Sequence, residues 1–285
     1  MWKKVLAAGS AVLALGCFMP SDCGYMSTAA ACEEGNVWNA PEGIPYSVSL
    51  GYGTYIQRSQ MYYHGRVIME GSTYEVNLDA RSANEFPKLQ AALENLSTKN
   101  WGYMRHSMNA WEPDLQEDFS QGLASGRYSD DGTVPYSYEL SYSGLRADST
   151  IFSCVGCEYI YLGGAHPVTY YKTHTFDTKT GKELKLSDIF VTTDGLAKVI
   201  VEETEKQIEP KSSMPDKAET LKTVQKMIDE NRLQFGLTED NFMVYFGSYA
   251  IGPYALGTLE IKIPYIRYSK MFNDKYVFFG YRAKG

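Results

Sequence analysis

Two rhythms organise this chain: apolar residues recurring every second position, which predict strands, and every third or fourth, which predict helices. From Tyr46 onward the pattern is strand-like, and the runs 61–69 and 72–78, flanking Glu70-Gly71, predict a hairpin. Phe86-Pro87 opens a helical stretch, because Leu89, Leu93 and Leu96 share one face and a proline suits a first turn. A second, shorter amphipathic stretch covers 113–123 and stops at the glycines Gly122 and Gly126. Strands follow at 134–143, 149–154, 158–162 and 169–177, the last leading into a turn at 178–182. Helices are predicted over 194–208 and 216–231, the second with Leu221, Val224 and Ile228 on one face. Apolar strands at 242–246 and 258–264 bracket a Gly/Pro loop, 247–257, and a final strand is predicted at 275–281. The connections between strands are too short for crossovers, so antiparallel order is expected. Strands grouped with strands, with helices inserted between the groups, predict an α+β fold: two small units of antiparallel sheet with helices packed on one face. The expected border lies near residue 147, giving an N-terminal domain over 45–147 and a C-terminal domain over 148–285.

The segment ahead of this body has a different pattern. Lys3 and Lys4 precede an apolar run, 5–15, that ends at Gly16-Cys17. A short positive head and a brief greasy segment describe an export signal, and the run is too short to span a bilayer. Ala14-Leu15-Gly16-Cys17 is similar to the lipobox of bacterial lipoproteins, which implies a signal over 1–17 and acylation of Cys17. A lipid on Cys17 leaves Cys23, Cys32, Cys154 and Cys157, an even set. The alternative is an ordinary secretory signal cut near Ala29 to Ala31, which would leave the protein secreted or periplasmic. Residues 18–44, rich in Ser, Ala, Gly and Glu, read as a flexible tether. The expected location is therefore the cell envelope, with attachment to the membrane through the N-terminal lipid.

Charge and composition narrow the partners. A net charge of −7 and a pI near 5.2 argue against nucleic acid, which needs a basic footprint. The 23 tyrosines against 12 phenylalanines suit half-exposed strands and binding surfaces where one end of the ring stays wet.

Candidate chemistry is sparse. The histidines are His64, His106, His166 and His174, and no pair has metal-ligand spacing on a helix, so no metal and no cofactor are expected. Gly51-Tyr52-Gly53 lacks the third glycine and the strand–helix context of a dinucleotide loop. Cys154-Val155-Gly156-Cys157 has no helix after it to lower a thiol pKa, so a disulfide across a turn, Cys154 to Cys157, is expected rather than a redox pair. No catalytic residue is assigned.

Tyr161-Leu162-Gly163-Gly164-Ala165-His166, the turn from Asp177 to Lys182, Leu186-Ser187-Asp188-Ile189-Phe190, and Tyr249 to Gly257 followed by Ile263-Pro264-Tyr265 occur in order over about 100 residues. Together these segments resemble the C-terminal extracytoplasmic domain of RsiV-type anti-sigma factors, also present in PdaC-type peptidoglycan deacetylases. Residues 46–145 resemble the domain that usually precedes it. A sigma-binding segment and a deacetylase catalytic domain are not expected here. The resemblance implies an outer, ligand-facing module whose partner is a lysozyme-like protein or a peptidoglycan fragment. The candidate ligand-binding surface joins the Gly-Gly bend to the Gly-Pro-Tyr loop, with Tyr161, Gly163, Gly164, His166, Tyr249 and Tyr254 as its residues. Two alternatives are an envelope hydrolase or deacetylase, recognisable by carboxylates converging in one cleft, and a purely structural envelope module.

Overall fold

The computed structural model describes residues 49–129, 131–208 and 215–277. Cys17, Cys23, Cys32 and the expected tether lie outside them, as does most of the expected last strand, of which 275–276 form a turn. Strands β1 (Tyr52–Tyr63) and β2 (Arg66–Leu78) form the first hairpin. Its turn is His64-Gly65, with φ of 47° and 81°, as a two-residue hairpin turn with left-handed central residues requires. The expected turn at Glu70-Gly71 instead lies inside β2. Gly71 is buried beneath a helix, where a Cβ would sit 2.5 Å from the Met108 sulfur. That glycine serves close approach rather than chain reversal.

Asp79 caps α1 (Ala80–Glu85) by accepting from the Ser82 N–H at 2.7 Å. Next comes α2 (Pro87–Ser125), one helix of 39 residues where two stretches were expected. It passes straight through Pro113, because Leu89, Leu93, Met104, Met108, Leu115 and Phe119 are all buried along it. That burial outweighs the single backbone bond a proline removes.

Strands β3 (Tyr136–Ala147), β4 (Ile151–Tyr161) and β5 (Val168–Asp177) complete a five-stranded sheet in the order β1-β2-β3-β4-β5. All pairs are antiparallel except β2 with β3, which is parallel. The expected uniform antiparallel order fails there because α1 and α2 supply a crossover long enough to return the chain to the same end. β4 runs unbroken through Cys154 and Cys157, so the expected turn and disulfide are both corrected. Three residues apart in one strand, the two side chains leave opposite faces, with Cα atoms roughly 10 Å apart at 3.3 Å per residue, beyond disulfide reach.

A second layer follows in the chain. It contains α3 (Leu186–Ile189), α4 (Leu196–Gln207), α5 (Lys217–Asp229) and the antiparallel sheet β6 (Gln234–Leu237), β7 (Asn241–Phe246) and β8 (Leu259–Pro264). β7 is buried on both faces. Phe242, Val244 and Phe246 join Ile200 and Val201 of α4 and Val224 and Ile228 of α5, while Met243 and Tyr245 pack with Tyr171, Leu145 and Val155 of the large sheet. The layers are therefore α2, the five-stranded sheet, the three-stranded sheet, then α4 with α5. Residue 147 ends β3, and the next hairpin stays in the same sheet. Ile44–Gly285 form one compact unit.

The outer edge of β5 is closed by neighbours. Ser248 N–H donates to Thr169 O at 2.8 Å, and Leu184 N–H donates to Thr175 O at 2.7 Å. Thr173 N–H donates to Gln234 Oε1 at 2.9 Å. The outer edge of β1 has no partner strand among the described residues. Two buried carboxylates pin the layers together. Asp177 Oδ2 accepts from Lys275 and from the Tyr276 hydroxyl, both at 3.0 Å. Glu203 on α4 accepts from Arg267, Lys206 and the Tyr268 hydroxyl. At both carboxyls burial opposes ionisation, but these donors outweigh it, with Thr180 also bonded to Asp177, and hold each at about 2.

Candidate functional site

The bend after β4 and the loop after β7 lie far apart in the chain but meet beside β5. The β7 loop is fastened there by close backbone approach: a Cβ on Gly247 would lie 2.8 Å from the Thr169 carbonyl, so only glycine lets the strands touch. Ser248 completes the join, donating its N–H to Thr169 O and accepting the Thr169 N–H on its hydroxyl at 3.3 Å. Ile251 anchors the loop tip in the core.

Three of the six expected residues form one aromatic surface. The His166 imidazole stacks on Tyr254, with centroids 3.6 Å apart and planes 13° from parallel. Tyr249 stands against both, 6.3 Å from His166 and 5.6 Å from Tyr254. His166 Nδ1–H donates to the Pro167 carbonyl at 3.2 Å, which leaves Nε2 to accept from the Tyr249 hydroxyl at 3.4 Å. Tyr249 is 54% exposed and has φ of 64°, a left-handed conformation that a bulky residue rarely adopts. Tyr254 follows Pro253 on a 3₁₀ turn (Tyr254–Leu256).

The other three expected residues have local duties. Tyr161 donates its hydroxyl to the Gly164 carbonyl at 3.1 Å and so braces the bend. Gly163, at φ 86°, faces inward, where a Cβ would lie 2.9 Å from both the Tyr128 hydroxyl and the Tyr136 ring. Gly164 is exposed and has open space around it. Two of the motif segments are likewise structural. Asp177 Oδ1 accepts from the N–H and hydroxyl of Thr180, both at 2.9 Å. Gly181, at φ 66°, lies against the Lys88 carbonyl of α2. Asp188 Oδ2 accepts from the Lys185 N–H at 2.9 Å at the start of α3.

A second polar group was not anticipated, because nothing in a strand's alternation marks which apolar neighbours will cover it. Beneath α2, Glu75 Oε2 accepts from Asn100 at 3.1 Å, and Asn100 also donates to the Tyr142 hydroxyl at 3.3 Å. Glu158 accepts from the Tyr138 hydroxyl at 2.5 Å and from Lys172 at 2.6 Å. Lys172 lies 4.2 Å from the Tyr103 ring centroid. Glu75 and Glu158 are 1% and 3% exposed, so they fasten the helix to the sheet rather than line an open cleft. Burial pushes the Glu75 carboxyl up from its ordinary value. Among the described residues no group of three or more His, Cys, Asp or Glu is placed to hold a metal ion.

The exposed rings of His166 and Tyr249, with the half-buried Tyr254 beside them, can receive a flat apolar face or a sugar ring. No curated protein matches the chain. Among solved structures, it resembles the crystal structure of a DUF3298-family member from Bacteroides fragilis NCTC 9343, with 18% identity, a TM-score of 0.57, and coverage of 80% of this chain and 96% of that one. A DUF3298-family protein from Pseudomonas aeruginosa PAO1 aligns over the same shares at 15% identity and a TM-score of 0.47. The first likeness is one of fold. Residues 187–266, which include β7 and the loop carrying Tyr249 and Tyr254, match the family model described as Protein of unknown function (DUF3298).

Proposed function

We propose that this chain is an exported, lipid-anchored cell-envelope protein whose aromatic surface binds a lysozyme-like protein or a cell-wall glycan, and that it carries no catalysis of its own. The observation that carries the reading is the stack of His166 on Tyr254, with Tyr249 beside it, on exposed loops fastened to β5. Rings fixed in advance lose little conformational freedom when a ligand covers them. The segment from Lys3 to Cys17 supports export and acylation. The resemblance of the four motif segments to the outer module of RsiV-type factors supports a protein or glycan ligand. The sealing of Glu75 and Glu158 beneath α2 supports a role without hydrolysis.

Calorimetric titration of the purified soluble body with hen lysozyme and with muropeptides tests the ligand. Saturable binding to one of them is expected. No binding to either at millimolar ligand overturns the reading. Mass spectrometry of the native N-terminus tests the anchor, and an uncleaved Met1 would overturn it.

A further inference from the structure

The face of the large sheet turned away from α2 holds a carboxylate that nothing in the described protein answers. Strand registers set Ser72, Glu139, Tyr159 and Thr169 side by side in one row, with Glu139 directly opposite Tyr159. β6 and β7 cover this face around Leu145, Val155 and Tyr171 and leave the row with Glu139 half-buried. Among the described residues no donor and no cation reaches the Glu139 carboxylate. Burial pushes its carboxyl up from its ordinary value. Several other buried or half-buried acids are matched: Glu158 by Lys172, Asp118 by Arg127, Asp177 by Lys275, Glu203 by Arg267 and Lys206. Glu75 has no cation either, but it is sealed beneath α2, whereas Glu139 is half-buried. The row also leads to the aromatic surface. Burial raises the Tyr159 phenol, and Tyr161, Tyr254 and Glu139 add to it because their charged forms would lie close by.

A half-buried carboxylate without a counter-charge costs free energy that a cation from outside recovers. Tyrosine faces beside it select a planar cation, since a guanidinium both stacks on the ring and pairs with the carboxylate through two bonds. The net charge of −7 favours the approach of a basic partner.

We propose that Glu139, with Tyr159 as its wall, seats an arginine side chain of a partner protein while the rest of that partner covers His166, Tyr249 and Tyr254. This rests on the reading of the aromatic surface as a binding surface.

The test follows the tyrosine ring signals by NMR while the soluble body is titrated with the peptide N-acetyl-Gly-Arg-Gly-amide and its citrulline counterpart, which keeps the shape and loses the charge. The arginine peptide is expected to move the Tyr159 signals to saturation at millimolar concentration, and the citrulline peptide to leave them in place. Glu139→Gln is expected to weaken the arginine peptide about tenfold, the equivalent of roughly 1.4 kcal/mol. Unmoved Tyr159 signals, equal response to citrulline, or unchanged affinity in the variant overturns the proposal. Tighter binding of free L-arginine than of the peptide makes the occupant a small molecule and overturns it too. Titrations of the same sample with hen lysozyme and muropeptides report on Tyr249 and Tyr254 independently. Failure there with success at Tyr159 sinks the aromatic reading and leaves the arginine seat, and the reverse result sinks only the seat.

Discussion

His166 lies flat on Tyr254, 3.6 Å between ring centroids, although one belongs to the bend after β4 and the other to the loop after β7. Each ring shields one face of the other. Tyr254→Ala removes the larger ring and is expected to weaken ligand binding about tenfold or more, in the range of a central contact residue. The thermal midpoint should move little, because the loop is held by Gly247, Ser248 and Ile251 rather than by the ring. Calorimetry and circular dichroism on the same variant separate the two effects.

Tyr249 keeps an exposed ring in place at the cost of a left-handed backbone, φ 64°. Tyr249→Gly removes that strain and is expected to raise stability by about 1 kcal/mol. Ligand affinity should fall in the same variant. Chemical denaturation paired with titration reads both, and a variant that is less stable would contradict the assigned strain.

Gly163 has φ of 86° and lies against Tyr128 and Tyr136. Gly163→Ala is expected to cost about 1–3 kcal/mol, because both the dihedral and the space oppose a methyl group. Gly164→Ala, with open surroundings, should cost much less. Thermal melts of the pair provide the comparison.

Acid should loosen the joins between layers. Asp177 and Glu203 are held at about 2, below ordinary values of 3.8 and 4.5. A depressed carboxyl contributes its full stabilisation above the unfolded value and loses it as the group takes up a proton. Stability is therefore expected to hold above about pH 5 and to fall as pH drops toward 2. Asp177→Asn with Glu203→Gln should flatten that slope in pH-dependent melts.

Glu75 has the opposite sign. Burial raises its carboxyl above 4.5, with Asn100, Thr73, His174 and Lys172 only partly offsetting it. Its Oε1 is buried without a hydrogen-bond partner. A raised acid contributes stability at low pH and loses it as pH climbs through the folded value. Glu75→Gln is thus expected to melt higher than the parent at pH 8 and level with it at pH 4. A lower midpoint at pH 8 would show that the charge is needed there.

The α+β class and most strand positions were legible because alternation reports burial directly. That His166, Tyr249 and Tyr254 come together was legible as well, since they sit in the glycine-rich bend and loop that were expected to join, whereas Tyr161, Gly163 and Gly164 have local duties. The misplaced turn has a local cause. His64-Gly65 and Glu70-Gly71 both fit a chain reversal, and only the packing of Met104 and Met108 onto Gly71 distinguishes them. The unbroken α2 depends on tertiary burial, which overrides Pro113. The parallel pairing of β2 with β3 depends on that same helix acting as a crossover. The Cys154 to Cys157 bridge was inferred from spacing, but a continuous strand turns that spacing into opposed faces. Glu139 and Tyr159 gave no signal, since their meeting is a matter of register between strands.

The two edges of the large sheet differ in what they permit. With Ser248, Gln234 and Leu184 bonded to outward groups of β5, β1 is the edge of this sheet left without a partner strand among the described residues. A sheet with a single open rim cannot be extended from copy to copy in an open row. Any assembly through that rim must close after two subunits related by a two-fold axis, so this sheet geometry guards against fibre growth while leaving pairing open.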